Sequence, residues 1–148
     1  MSLKLDGKCH VMGILNVTPD SFYDNFFDTD DIQNRIKEMI DEGAEIIDIG
    51  GESTRPGSKP VSAEEELERV IPAIEFVKSI SDIPISIDTQ KAEVARKAVE
   101  AGASVVNDVG GLRNDDMIRT VSDLQIPVII MHMQGTPESM QKNPQYDN

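Results

Sequence analysis

The sequence has little cysteine and no long apolar run. Its 148 residues include one cysteine, Cys9, so no internal disulfide can form, and we expect a reducing, cytoplasmic setting. No apolar stretch approaches the roughly 20 residues of a membrane helix, and residues 1–8 contain no apolar signal segment. We therefore expect neither membrane insertion nor export. Because Cys9 stands at a predicted strand start, we expect it to be a small buried residue rather than a nucleophile.

Basic charge is also scarce. Lysine and arginine together number 14 against 27 aspartates and glutamates, which gives a formal net charge of −13. Nucleic acids and anionic membranes bind basic surfaces, so neither is expected as a partner. An anionic ligand would need locally placed backbone N–H groups, arginines or a metal ion.

Several catalytic and cofactor motifs are absent. The two histidines, His10 and His132, lie far apart and have no partner at metal-ligand spacing. We expect His10 to be structural. No Ser-His-Asp trio is evident, and neither G-x-x-x-x-G-K-[ST] nor G-x-G-x-x-G occurs. The sequence therefore gives no sign of a serine hydrolase, a zinc enzyme or a nucleotide-phosphate loop of these types.

What the sequence does contain is an alternation of strand and helix patterns. Short apolar runs rich in β-branched residues are typical of strands buried on both faces of a parallel sheet. They predict strands at Val11–Leu15, Ile46–Ile49, Ile85–Ile87, Val105–Val106 and Val128–Met131. Helical spacing and cap residues predict helices at Asp31–Glu42, Ser62 to about Ser79, Gln90–Ala101, and Asn114 to about Asp123. Pro72 is expected to kink or divide the second helix.

Two stretches of the chain resemble each other. EGAEIIDIGG (42–51) and AGASVVNDVGG (101–111) each run from a helix end through Gly-Ala into an apolar strand and then Gly-Gly. Repeated βα units build either an open doubly wound sheet or a (β/α)8 barrel, which typically needs about 250 residues. The chain, taken as one domain over residues 1–148, is thus either a complete five-stranded α/β sheet or about half of a barrel.

Polar side chains follow every predicted strand. In parallel α/β folds, ligands bind beyond the carboxyl ends of the strands, so these residues are expected to line one mouth. Turn and cap roles are the alternative at single positions, and we expect only that role of Thr89, Ser62 and Asn114. The strand-end residues are Asn16, Thr18, Asp20 and Ser21; Asp48, Glu52, Ser53, Thr54 and Arg55; Asp88; Asn107 and Asp108; and His132, Met133 and Gln134.

These side chains favour a particular ligand chemistry. Carboxylates and amides can satisfy a flat, nitrogen-rich heterocycle through paired hydrogen bonds, and their oxygens also suit Mg²⁺. Arg55, close to Gly57, can bind an oxyanion in a bidentate manner.

Five motifs together resemble the dihydropteroate synthase family. GILNVTPDSF, GGESTRPGS, SIDT, VNDVGG and MHMQGTP occur between residues 13 and 137, in the family's order. The resemblance covers the N-terminal half of the family's (β/α)8 barrel, namely four βα units and strand five. It implies a transferase of folate biosynthesis that condenses 6-hydroxymethyl-7,8-dihydropterin pyrophosphate with p-aminobenzoate to give 7,8-dihydropteroate and pyrophosphate. The alternatives are a pterin-dependent methyltransferase domain and a non-catalytic pterin-binding paralogue.

The resemblance also implies residue roles and a Mg²⁺ cofactor. Asn16 is implied as the Mg²⁺ ligand. The residues implied to be catalytic are Asp88, Asn107 and Arg55. The residues implied to bind the substrates are Thr54, Arg55, Asp88, Asn107, Val109 and Met133, with Phe22 and Pro56 on mobile loops that complete the p-aminobenzoate site.

The chain departs from the family in two ways. The loop after Phe22 reads Tyr23, Asp24, Asn25, Phe26, Phe27, where the family has a glycine-rich stretch. The family's pocket residues on strands six to eight have no counterpart in residues 1–148. We therefore expect a fragment that is inactive and poorly soluble alone, unless two copies pair, and a full-length protein that forms a homodimer.

Overall fold

A computed structural model describes residues 7–18, 29–53, 59–135, 139 and 143–145. Five strands alternate with four helices along this part of the chain. The elements are β1 (Met12–Asn16), α1 (Thr29–Asp41), β2 (Ile46–Gly50), α2 (Ala63–Ile80), β3 (Ile85–Asp88), α3 (Ala92–Ala101), β4 (Val105–Asp108), α4 (Asp115–Leu124) and β5 (Val128–Ile130). The predicted alternation is confirmed.

The five strands form one parallel sheet in chain order, β1-β2-β3-β4-β5. The register places residues at the carboxyl ends of neighbouring strands side by side. Asn16 pairs with Gly50, Gly50 with Asp88, and Asp88 with Asn107. Because paired residues of parallel strands point to the same face, this row presents its side chains together.

All four helices pack against one face of the sheet. Alternate strand residues such as Leu15, Ile47, Ile49 and Ile87 share a single hydrophobic core with buried residues from every helix. A doubly wound sheet reverses its strand order and carries helices on both faces, whereas a barrel keeps chain order with helices outside. The topology therefore decides between the two architectures and matches the first half of a (β/α)8 barrel.

The helix boundaries follow from local chemistry. Ser62 Oγ accepts a hydrogen bond from the backbone N–H of Glu65 at 3.1 Å, and Asn114 Oδ1 accepts from that of Asp116 at 2.8 Å. Both predicted caps are confirmed. Thr89 Oγ1 accepts from the backbone N–H of Lys91 at 3.1 Å, although Lys91 itself is the N-cap residue of α3.

Two details differ from the sequence-based expectations. Of the two outcomes expected at Pro72, division of α2 does not occur, since the helix runs unbroken from Ala63 to Ile80, and the kink stays a prediction. Buried residues on both sides of the proline, Val70 before it and Ile74 after it, pack into the core and keep the two halves together. Cys9 is exposed rather than buried, because β1 begins three residues later at Met12.

Within the described residues, β1 pairs only with β2, and β5 only with β4. Large apolar side chains on or beside these edge strands are exposed: Val11 by 58%, Ile14 by 62% and Ile130 by 55%. Unpaired strand edges with exposed apolar residues are sites of association. Among the described residues, both edge strands are therefore candidate sites of association.

Among the helices of the described ranges, none combines the length and the apolar character that a membrane crossing requires.

Candidate functional site

The candidate site lies at the carboxyl ends of β1 to β4, on the face opposite the helices. Asn16, Gly50, Asp88 and Asn107 form one row across four strands. Three of the four carry hydrogen-bonding side chains. The strand-end prediction is confirmed for these strands, because the register brings the side chains to one edge.

Gly50 leaves an open position between the side chains of Asn16 and Asp88. A Cβ built at Gly50 would lie 3.6 Å from Asn16 Oδ1, 3.6 Å from Asp88 Oδ2 and 3.5 Å from Asp88 Cβ. The missing side chain lets an amide oxygen and a carboxylate oxygen flank the same small space.

Asn107 is hydrogen-bonded to Asp48, which was expected at the mouth but to which the family resemblance assigns no role. Asn107 Nδ2 donates to Asp48 Oδ2 at 3.1 Å. These strands are not neighbours, since β3 lies between them, and neighbouring strands are about 4.8 Å apart. The two side chains meet over β3, where the intervening residue of the Asp48 row is the small Ser86.

Asp88 is the most perturbed acid of the site. Burial, and after it the negative charges of Asp48, Glu66, Asp108 and Glu52, together raise its pKa from 3.8 to about 7. A carboxyl group poised near neutral pH is typical of functional sites.

Several buried oxygens of this face lack a hydrogen-bond partner among the described residues. They are Asp48 Oδ1, Asp88 Oδ1 and Ser86 Oγ. Buried polar atoms are almost always hydrogen-bonded in folded proteins. The two carboxylate oxygens are therefore available to accept hydrogen bonds from a ligand.

The loop after β4 is organised by Asp108 and reaches the segment after β5. The Asp108 carboxylate accepts hydrogen bonds from the backbone N–H groups of Gly110 and Leu112, both at 2.8 Å. Arg113 then donates to the carbonyl oxygens of Met133, at 3.0 Å, and of Gly135. These contacts tie the segment of the buried Met133 to the loop after β4.

A second charged group ties together β2, α2 and α3. Lys91 Nζ lies 2.6 Å from Glu52 Oε2 and 2.6 Å from Oε2 of the fully buried Glu66. Burial lowers the pKa of Lys91, but the bonds and charges of the two glutamates outweigh it, so the pKa lies above 10.5. Glu52 Oε1 also accepts from the backbone N–H of Val61 at 3.2 Å.

Comparison with known proteins agrees with this geometry. A family described as "Pterin binding enzyme" matches residues 12–148. The chain belongs to the pterin-binding enzyme family.

Similar proteins from this family carry more specific names. The chain is 47% identical over 156 residues to a dihydropteroate synthase of Haemophilus influenzae, covering all of this chain and 57% of that protein. A solved Xanthomonas albilineans dihydropteroate synthase with 4-aminobenzoic acid superposes with a TM-score of 0.83 at 47% identity, covering 98% of this chain and 51% of the other. The Burkholderia cenocepacia dihydropteroate synthase complexed with 7,8-dihydropteroate superposes with a TM-score of 0.81 at 44% identity. This match covers 98% of this chain and 49% of the other.

The chain thus spans about half the length of the curated relatives it matches. Its five strands and four helices superpose on the matching half of these dihydropteroate synthases, which confirms the predicted (β/α)8 class.

The structure describes only part of the predicted site of this pterin-binding enzyme. It places Asp88, Asn107 and Asn16 in one row, with Val109 just beyond β4 and Met133 beyond β5. Phe22, Thr54, Arg55 and Pro56 lie outside the described residues, as does the atypical loop at 23–27.

No group of three or more histidine, cysteine, aspartate or glutamate side chains that could hold a metal ion occurs in the described ranges. The oxygens of Asn16 and Asp88 around Gly50 fit a cation that keeps waters and takes its other ligands from a substrate, as Mg²⁺ does.

The helix side of the sheet holds a cavity of about 470 Å³ between α1 and α2, lined by residues such as Ile32, Pro72 and Phe76. It lies on the side opposite the polar row. Its lining also includes Val17 and Thr29. The candidate site is instead the row at the strand ends, because Asn16, Asp88 and Asn107 lie together there.

Proposed function

We propose that the protein containing this chain is a dihydropteroate synthase. It joins 6-hydroxymethyl-7,8-dihydropterin pyrophosphate to p-aminobenzoate, releases pyrophosphate and so serves folate biosynthesis. The observation that carries the proposal is the site of Asp88, Asn107 and Asp48 in a chain nearly half identical to dihydropteroate synthases with 4-aminobenzoic acid or 7,8-dihydropteroate bound.

The pterin ring would occupy the face on which these residues meet. A dihydropterin has N–H donors along with carbonyl and ring-nitrogen acceptors, and the site offers both carboxylate oxygens and an amide. Val109 and Met133 would bound the ring with apolar surface.

In the reaction, the bond between the pterin methylene carbon and the pyrophosphate oxygen breaks, and the oxygen keeps the electron pair. The amine nitrogen of p-aminobenzoate then forms a bond to the same carbon and loses a proton. Positive charge develops on the methylene, in conjugation with the ring. The ionised form of Asp88 would stabilise this charge, and its pKa of about 7 makes that form available at neutral pH.

The neutral arylamine needs positioning rather than activation. The resemblance assigns Thr54 and Arg55 to the pyrophosphate end, and Phe22 and Pro56 to the p-aminobenzoate end. These assignments stay proposals.

We also propose that Mg²⁺ is the cofactor and that the amide oxygen of Asn16 is its protein ligand. When bound, the ion would stabilise the negative charge that grows on the leaving pyrophosphate. Gly50 leaves room beside Asn16 for such an ion. Cytoplasmic localisation and a homodimeric full-length protein complete the proposal.

The decisive experiment measures dihydropteroate formation that depends on p-aminobenzoate. Because the chain spans about half of its relatives, two proteins are assayed: the chain itself, and a chimera in which it replaces the aligned part of the Haemophilus influenzae enzyme. We expect product from the chimera. A folded chimera without product, beside an active parent enzyme, would contradict the proposal.

Matched variants test the role of Asp88. Asp88→Asn in the chimera is expected to keep the fold yet lose most turnover, whereas Asp116→Asn, an exposed residue of α4 paired with Arg119, should leave turnover unchanged. Unchanged turnover in Asp88→Asn would refute the assigned role. The same assay separates the rival readings: a pterin-dependent methyltransferase would show no p-aminobenzoate dependence, and a non-catalytic paralogue would bind pterin without releasing pyrophosphate.

A further inference from the structure

Asp48 is a buried carboxylate that the proposed reaction does not use. It is 3% exposed, and it lies within β2 rather than beyond the strand end, one row below Asn16 and Asp88. A buried carboxylate is expensive unless its oxygens are hydrogen-bonded. The hydrogen bond that the structure gives it is the one from Asn107 Nδ2, at 3.1 Å.

This hydrogen bond fixes the direction of the Asn107 amide. A carboxylate oxygen can only accept, so it selects the NH₂ end of the amide. The carbonyl oxygen Oδ1 of Asn107 then points away from Asp48. Without Asp48, the amide could rotate by half a turn about its last bond and exchange donor for acceptor.

The arrangement reaches over β3 and depends on small neighbours. Asp48 and Asn107 are 59 residues apart and come from the two repeated stretches of the sequence. In a flat sheet, next-but-one strands would be ~10 Å apart, too far for two short side chains to meet easily. The strand between them contributes Ser86 beside Asp48, and its small side chain leaves the path open.

We propose that Asp48 is a positioning residue that sets which end of the Asn107 amide faces the pterin. It thereby makes the pocket select a ring edge with an N–H donor opposite Asn107. This inference rests on the proposed function, because it needs a pterin in the pocket. The neighbouring oxygens support it: Asp48 Oδ1 and Asp88 Oδ1 are also acceptors without a partner among the described residues. An Asn107 held with its oxygen toward the ligand gives this side of the pocket one consistent polarity.

A purely structural role makes different predictions. If the bond only stabilised the sheet, removing it would lower the free energy of unfolding without a specific effect on pterin affinity. If Asp48 acted only through its charge, Asp48→Asn would weaken binding as much as Asp48→Ala. Positioning predicts that Asn at 48, which keeps an acceptor oxygen for Asn107, preserves most of the affinity.

The experiment measures the dissociation constant of 6-hydroxymethylpterin for the full-length protein and four variants: Asp48→Ala, Asp48→Asn, Asn107→Ala, and the double variant with both alanines. We expect Asp48→Ala to weaken binding by about tenfold, the scale of one lost neutral hydrogen bond, here the one from a pterin N–H to Asn107 Oδ1. Asp48→Asn should stay within about threefold of the parent. On the Asn107→Ala background, Asp48→Ala should change affinity by less than about threefold, because its partner is gone.

Thr120→Val is the matched control. Thr120 is also buried and accepts a hydrogen bond from Arg96 at 3.0 Å, but it joins α3 to α4 away from the site. It should lower stability without changing pterin affinity.

Three results would overturn the inference. They are an Asp48→Ala affinity within about twofold of the parent, an Asp48→Asn loss equal to that of Asp48→Ala, and an undiminished effect of Asp48→Ala when Asn107 is absent. If the unsubstituted protein does not bind the pterin at all, the proposed function fails instead. Whether Asp48 fixes the amide is then tested by the NMR resonances of the Asn107 side-chain NH₂ group. Slow exchange of these protons that is lost in Asp48→Ala supports the fixed amide, and unchanged exchange contradicts it.

Discussion

Asp88→Asn should change how the stability of the protein depends on pH. The pKa of Asp88 is 3.8 in an unfolded chain and about 7 in the folded one, so between these values the folded state binds the proton more tightly. Its contribution to the free energy of unfolding is therefore fully present below about pH 4. It falls as the pH rises and is lost above about pH 7.

The size of the effect follows from the shift. A rise of about three pKa units lowers the free energy of unfolding by about 4 kcal/mol over the whole titration. About 2 kcal/mol of this loss falls between about pH 5.5 and about pH 8. These are upper values, because Asp88 keeps some exposure and solvent screens part of the interaction. Asparagine cannot ionise and does not have this loss. From about pH 5.5 to about pH 8, the free energy of unfolding of the variant should therefore rise relative to that of the parent by up to about 2 kcal/mol.

The assay is urea unfolding of the parent chain and Asp88→Asn at about pH 5.5 and about pH 8. The surface variant Asp116→Asn, whose side chain is 75% exposed, is the control and should show no such pH-dependent gain. A stability difference between parent and Asp88→Asn that is the same at both pH values would refute the reasoning. So would a parent chain that becomes more stable than the variant as the pH rises.

Three further predictions follow from the packing. Gly50→Ala should leave the free energy of unfolding almost unchanged, because the added methyl group meets only ordinary contacts of 3.5–3.6 Å. It should nevertheless lower the Mg²⁺-dependent turnover of the chimera, because the methyl group fills the space beside Asn16. Normal turnover would contradict this prediction. Lys91→Met should lower the free energy of unfolding, measured in urea, by about 3–5 kcal/mol, because it leaves the buried Glu66 without its counter-ion. The control Lys97→Met breaks an exposed pair and should lower it by less than about 1 kcal/mol. Because both edge strands expose apolar residues, the 148-residue chain should self-associate in sedimentation velocity, and a strictly monomeric chain at high concentration would argue against accessible edges.

Much of the fold could be predicted because each element carries its own local signal. The β-branched runs are short enough to exclude helices, and Ser62 and Asn114 mark helix starts through hydrogen bonds that need no tertiary information. The choice between open sheet and barrel could not be made from composition. It depends on which face the helices cover, and this is a property of the assembled core.

Two local departures, the undivided α2 and the exposed Cys9, also have tertiary causes. The tendency of Pro72 to break a helix is outweighed by burial of the α2 residues on both sides of it. Cys9 was assigned to the core because it stands at the predicted start of the first strand, but the sheet begins only at Met12.

The site was predictable where a residue ends a strand, as Asp88 and Asn107 do. Asp48 was expected at the same mouth, but its bond to Asn107 was not predicted, because Asp48 lies inside β2 and the bond spans an intervening strand. The signal was nevertheless in the sequence: Asp48 and Asn107 occupy similar places in the two repeated stretches. Residues of one repeat that face the other across a curved sheet are candidates for such contacts.

The most direct test of the account remains p-aminobenzoate-dependent formation of 7,8-dihydropteroate by the chimera of this chain with the rest of the Haemophilus influenzae enzyme. The account predicts product with Mg²⁺ and the pterin pyrophosphate, and its loss in Asp88→Asn. A folded chimera that binds pterin yet forms no dihydropteroate, or one whose turnover does not need p-aminobenzoate, would contradict the proposed activity.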